Sequence, residues 1–182
     1  IPSRTGTRFA VFSTTASACA VRLFDGGGHA LETTALEARG HGFFVSELRG
    51  VGPGALYKFV LDGRELPDPY ARFLPHGVHG PALVHESRYT FRHEGVFRPL
   101  REHVFYELHV GAFSPEGTYR AAAARLGELV DLGVTAIELM PVHAFAGTRG
   151  WGYDGVALFA PFAPYGTPDD LRAFLDDAHG LG

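Results

Sequence analysis

The sequence predicts two architectures in series. Residues 1–90 read as a small all-β sandwich, residues 91–103 as a linker, and residues 104–182 as the opening of a parallel α/β domain. Three observations carry this reading. Short alternating apolar runs in the first half end in turn residues. A strand, a helical stripe and a second strand follow one another in the second half. A Thr-Pro-Asp-Asp helix start comes after a glycine-spaced loop.

In the first half, Arg8–Phe12, Ala18–Phe24, Phe43–Leu48 and Tyr57–Leu61 are the strand candidates. The second runs into Asp25-Gly-Gly-Gly28. The fourth meets Asp62-Gly63, a strong two-residue hairpin signal because both central residues of such a turn need positive φ. No helical stripe competes, and turn signals at this spacing favour a sandwich. Phe9, Phe24, Phe43, Tyr57 and Phe59 sit in strand patterns and are expected in its core. The stretches Leu66–Arg72 and Pro75–Pro81 are rich in Pro and Gly and suit an ordered connection.

In the second half, Val104–Val110 is a strand and Thr118–Leu132 a helix. Tyr119, Ala122, Leu126, Leu129 and Val130 mark its buried face. Gly133 is placed to cap that helix, and Val134–Met140 is the next strand. A strand, a crossover helix and a strand make a right-handed parallel unit. Thr167 then caps a helix with Pro168 at its first position and Asp169 and Asp170 at its positive end. Leu171, Phe174, Leu175 and Ala178 form its stripe, and Gly180 is expected to stop it. Two parallel strands and two helices do not cover both faces of a parallel sheet, so this half reads as the front part of a longer α/β domain.

A net charge of −4 and scattered cations give no electrostatic footprint for nucleic acid or an anionic membrane. No apolar run reaches the length of a membrane span. The one cysteine, Cys19, rules out an internal disulfide framework and is expected as a small packed residue in a reducing compartment. Ten histidines are present, but His76, His79, His109 and His143 have no carboxylate at ligand spacing, so no metal is expected.

In a parallel α/β architecture, sites form at the carboxyl ends of strands. Here those ends are His109–Phe113 and Pro141–Asp154. No phosphate-binding glycine motif follows the first. The second leads to Gly150-Trp-Gly-Tyr-Asp-Gly155. Tyr153 suits a stacking platform under a sugar, or a loop aromatic packed on the rim. Trp151 suits a loop anchor as well as a ligand contact. Asp154 can accept hydroxyl hydrogen bonds, fix an arginine or form an Asx-type turn before Gly155. His143 can bond a sugar hydroxyl or stand in solvent. Glu107 and Glu138 lie on adjacent strands and so can face each other. Glycoside hydrolysis needs two carboxylates flanking the scissile bond, but mid-strand carboxylates are more commonly buried partners of an Arg or His. No catalytic residue is assigned from the sequence.

Val104-Phe-Tyr-Glu-Leu-His-Val-Gly-Ala-Phe-Ser-Pro-Glu-Gly-Thr-Tyr119 resembles the opening of the barrel in the α-amylase superfamily of glycoside hydrolases. Gly133–Pro141 is similar to that superfamily's second-strand motif, and Trp151-Gly-Tyr-Asp-Gly155 to the loop after it. The phrase Phe113–Tyr119, with Pro67–Arg72 and Gly77–Gly80 upstream, is most similar to the maltooligosyltrehalose trehalohydrolase family. Ala112 departs from it, since Thr is frequent there.

The resemblance implies an immunoglobulin-like, starch-binding-type sandwich joined to the first two βα units of a (β/α)8 TIM barrel. It implies a retaining glycosidase of trehalose biosynthesis, cytoplasmic and without cofactor, that frees trehalose from maltooligosyltrehalose by α-1,4 cleavage. Tyr153 would line the subsite of the sugar to be cleaved and Asp154 would order it. The remainder of the barrel would be the partner of this stretch. The family's three carboxylate motifs and its Asn-His motif are absent from the 182 residues, so the chain alone is expected to be inactive. A glycogen branching or debranching enzyme and a non-catalytic carbohydrate-binding module are the alternatives.

Overall fold

The computed structural model describes residues 1–182, which divide into two compact units, Ile1–Glu86 and Ser87–Gly182. The first unit is antiparallel throughout. One sheet has the order β1-β5-β4, from Gly6–Phe12, Phe43–Arg49 and Glu37–Ala38. The other has the order β3-β2-β6-β7, from Ala30–Ala35, Cys19–Phe24, Leu56–Leu61 and Arg64–Leu66, with β8 (Ala82–Leu83) also paired to β6. Phe9 and Val11 from one sheet and Val21, Tyr57 and Phe59 from the other are buried. Phe9 meets Tyr57 edge-on, with ring centroids 4.9 Å apart.

Asp62 and Gly63 have φ values of 46° and 80°, the doubly positive geometry that closes β6 onto β7. The Asp62 carboxylate also accepts from the backbone N–H of Ser17 and Ala18. Cys19 is a buried free thiol, and burial raises its pKa.

Two of the five expected core aromatics depart from expectation. Phe43 is 50% exposed and tilts against Phe12 at 5.2 Å. Successive strand residues face opposite ways, so only one of the doublet Phe43-Phe44 can point inward, and Phe44 does. Phe24 is half-buried, with the Lys58 ammonium 5.9 Å from its ring centre.

In the second unit, β9 (Phe105–Leu108) and β10 (Ala136–Leu139) pair in parallel, with Leu108 opposite Leu139. The first strand ends sooner than expected because Val110 opens a short helix, α1 (Val110–Phe113). The expected continuous helix is split into α2 (Tyr119–Ala123) and α3 (Leu126–Leu132). The break falls at Arg125, whose guanidinium reaches back to the Phe113 carbonyl and lies 4.7 Å from that residue's ring centre. Tyr119, Ala122, Leu126 and Leu129 are buried as the stripe predicts, and Gly133 takes the left-handed cap at φ 91°.

Val130 is 45% exposed, contrary to the stripe. It borders an open apolar cleft of about 440 Å3 shared with Ile137, Leu139 and Leu175. Leu175, also expected to be buried, is 38% exposed for the same reason.

Strands β11 (His143–Ala144) and β12 (Ala157–Pro161) pair antiparallel and carry the Trp151 loop between them. Helix α4 (Pro168–Gly180) begins with a complete capping box. Thr167 Oγ1 accepts from Asp170 N–H at 3.1 Å, and Asp170 Oδ2 accepts from Thr167 N–H at 2.8 Å. Gly180 does not stop the helix; it is its last residue, and Leu181 is the cap.

Asp176, on α4, is fully buried. It accepts from Tyr89 Oη, from Arg92 Nε and from the backbone N–H of Arg92 and His93. Burial alone would raise its pKa, but these donors hold the carboxyl well below the usual carboxylate range. The expected linker segment 91–103 is thus tied at its start to α4, and holds one short 3-10 turn at Leu100–Glu102. No helix is long and apolar enough to cross a membrane.

Candidate functional site

The carboxyl ends of β9 and β10 open onto a cleft of about 660 Å3 lined by His109, Met140, Thr148, Arg149, Trp151 and Tyr165. An aromatic group lies beneath it. Phe145 and Phe162 stack at 4.0 Å, Phe162 meets Tyr165 edge-on at 5.0 Å, and Tyr165 meets Tyr119 at 5.9 Å. All five rings counted with Phe174 are buried in the core between the strands and α2–α4. Burial raises the pKa of the Tyr165 hydroxyl.

Trp151 is presented rather than packed: the residue is 75% exposed, so it does not anchor the loop by burial. The residues on either side of it fit closely. A Cβ on Gly150 would come within 2.8 Å of the Phe145 ring, and one on Gly152 (φ 89°) would run into the Pro141 carbonyl. His109 Nε2 lies 2.9 Å from the Gly150 carbonyl oxygen.

The other residues named from the sequence lie apart from this cleft. Tyr153 is 69% exposed, and Asp154 beside it is exposed in the same turn. His143 is half-buried on β11 under Gly155, where an added Cβ would meet it at 3.1 Å, and its Nδ1 is buried without a partner. The structure therefore joins Trp151 to His109 and Tyr165, while Tyr153 and Asp154 stand on the same loop facing solvent.

The signal for His109 in the sequence is its position at the end of a strand. Tyr165 follows β12, a strand the sequence pattern did not reveal. Its role in the cleft had no local signal.

Glu107 and Glu138 are opposite one another in the parallel pair, and both are exposed rather than buried against an Arg or His. They lie mid-strand, away from the residues lining the cleft. No residue lining the cleft is a carboxylate, and no group of three or more His, Cys, Asp or Glu is placed to hold a metal ion. An exposed indole, a guanidinium and hydroxyl groups can stack on a pyranose face and hydrogen-bond its hydroxyls.

No family model matches the chain. It is 53% identical over 187 residues to a malto-oligosyltrehalose trehalohydrolase of Deinococcus radiodurans, with all of this chain and 30% of the relative covered. It is 37% identical to a 1,4-alpha-glucan branching enzyme of Streptomyces avermitilis, covering 97% of this chain and 23% of that protein. The crystal structure of a putative alpha amylase from Salmonella typhimurium superposes with a TM-score of 0.90 at 45% identity, over 99% of this chain and 30% of that one. A pullulanase of Paenibacillus barengoltzii, solved in complex with maltohexaose and alpha-cyclodextrin, has a TM-score of 0.86 at 19% identity, over 100% of this chain and 36% of that one. At that identity the likeness shows the fold alone.

The chain spans under a third of the trehalohydrolase it matches end to end. In sequence it is a malto-oligosyltrehalose trehalohydrolase-like stretch, related also to a branching enzyme and to an alpha amylase structure.

Proposed function

We propose that this chain supplies one wall of the substrate cleft of a trehalose-releasing glycosidase. Residues 1–90 would be an immunoglobulin-like sandwich. Residues 104–182 would be the first two βα units of a (β/α)8 barrel, reached through the segment 91–103. Trp151, Tyr153, Asp154 and His143 would contact a maltooligosaccharide or maltooligosyltrehalose. Tyr153 would stack on a sugar and Asp154 would accept its hydroxyls. The observation that carries this is the exposed Trp151–Asp154 loop at the carboxyl end of the parallel pair, in a chain 53% identical to a trehalohydrolase.

The bond-breaking step of a retaining glycosidase needs an acid to protonate the leaving oxygen and a carboxylate to attack the anomeric carbon. The cleft holds neither, so both would come from outside these 182 residues. The branching-enzyme alternative rests on a weaker likeness, 37% against 53%.

The test uses two arms. Titration with maltohexaose or maltotriosyltrehalose should shift the emission of Trp151, and a Tyr153→Ala variant should bind either more weakly. Incubation of the chain with maltotriosyltrehalose should release no trehalose. Binding unaffected by the variant, or enzyme-level release, overturns the proposal.

A further inference from the structure

We propose that His109 is a positioning residue for Trp151: its ring holds the Gly150 carbonyl and so fixes the place at which the indole is offered to a sugar. The inference deepens the sugar-wall reading and rests on it for its functional meaning.

The hydrogen-bond chemistry fixes which role Nε2 plays. A carbonyl oxygen cannot donate, so the 2.9 Å contact requires that Nε2 carry the hydrogen. The Tyr165 hydroxyl, 3.3 Å from the same nitrogen, then stands on the accepting side. The ring cannot turn over without loss, because a flip would bring a carbon to the Gly150 carbonyl in place of the donor.

Packing holds the ring in this orientation. It lies edge-on to Tyr165, with centroids 6.1 Å apart at 84°. Gly111 fits closely against both residues. A Cβ there would come within 2.9 Å of the Tyr165 ring and 3.1 Å of His109 Cε1. The ring is therefore wedged by the strand end and the core aromatics. Its one hydrogen-bonding donor reaches across 41 residues to the carbonyl just before Trp151.

Trp151 cannot hold itself, since the residue is three-quarters exposed to solvent. What holds it is backbone: Gly150 against Phe145, Gly152 against Pro141, and the His109 bond between the strand end and the loop. Of these three, only the His109 bond is directional. Without it the loop can slide along its close contacts.

Trp151 is the only tryptophan, so fluorescence reads this loop alone. Loss of one N–H···O=C bond, about 1 kcal/mol, predicts about a fivefold fall in the ratio of held to released loop. In His109→Phe, which keeps a ring but has no donor, Trp151 anisotropy should drop and acrylamide quenching should rise without ligand. In His109→Gln, whose amide N–H can reach the same carbonyl, both should return toward the parent values. Independently of any variant, a long-range proton–nitrogen spectrum of the unmodified chain should place the His109 hydrogen on Nε2.

A ring with no hydrogen on Nε2, a Phe variant with unchanged anisotropy and quenching, or a Gln variant as loose as the Phe variant overturns the proposal. If the Phe variant loses its far-ultraviolet signal, the tautomer and the Gln variant still decide. A maltohexaose titration of the unmodified chain is run beside these. If sugar leaves Trp151 unchanged while the ligand-free results hold, the sugar-wall reading fails and the positioning role stands.

Discussion

Replacing Gly152 by alanine separates two costs that the structure assigns to one position. The first is conformational. Gly152 has φ 89°, and an L-residue held in the left-handed region costs about 1–2 kcal/mol. The second is steric, since the new Cβ would run into the carbonyl of Pro141, with the carbonyl carbon only 2.8 Å away. Gly147 supplies the control. Its φ is 92°, on the same loop, yet a Cβ there would meet nothing within 4 Å. Gly147→Ala should therefore show the conformational cost alone. For a unit of about 100 residues that lowers the melting temperature by about 4–16 °C. Gly152→Ala should melt lower still, or yield by moving the loop, and either outcome changes Trp151. The assay is thermal unfolding followed by far-ultraviolet dichroism and by tryptophan emission on the same samples. If both variants melt together and the Gly152 variant keeps the parent emission spectrum, the close approach of loop and strand end is refuted.

Other consequences are as direct. Glu138→Gln removes a like-charge neighbour of Glu107 and should stabilise the chain by about 0.2–1 kcal/mol, more at low salt; destabilisation in a urea melt would contradict the exposed register-matched pair. Thr167→Ala breaks the capping box of α4 and should cost about 1 kcal/mol, read from the same melt; no change would mean that the box carries no stability. Asp176 has its folded pKa depressed below the ordinary value of 3.8, so its stabilising contribution is complete above that value. That contribution should fade as pH falls through the lower folded pKa. Asp176→Asn should lose much of this acid dependence and free the Tyr89–His93 segment to protease near neutral pH, whereas an unchanged acid profile would refute the clamp.

Local signals were enough for much of the fold. The Asp62-Gly63 turn, the Thr167 cap and the Gly133 stop each place a backbone need on one or two residues, and these are visible without tertiary context. Strand β3 was not visible, because Ala-Leu-Glu-Thr-Thr-Ala has five of six residues exposed and so has no apolar alternation to read. Strand β12 was hidden for a related reason: only three of its five positions are buried, and not in alternation. The break between α2 and α3 falls at Arg125, which reaches Phe113, and that contact leaves no periodic trace. Nothing local marks Asp176, because its donors lie more than 80 residues upstream. In the site, Trp151 was conspicuous by composition. The bond that holds its neighbour spans 41 residues, and only the folded chain shows it.

The open setting of Trp151 has a consequence for how such a surface can change. Its side chain contributes almost nothing to the core, whereas positions 150 and 152 admit nothing larger than hydrogen. Tolerance and intolerance to mutation thus alternate residue by residue. The ring at 151 can be exchanged for another flat or flexible group with little penalty in folding, while the glycine frame around it stays fixed. If this loop is the proposed sugar wall, its ligand preference can drift without first solving a packing problem.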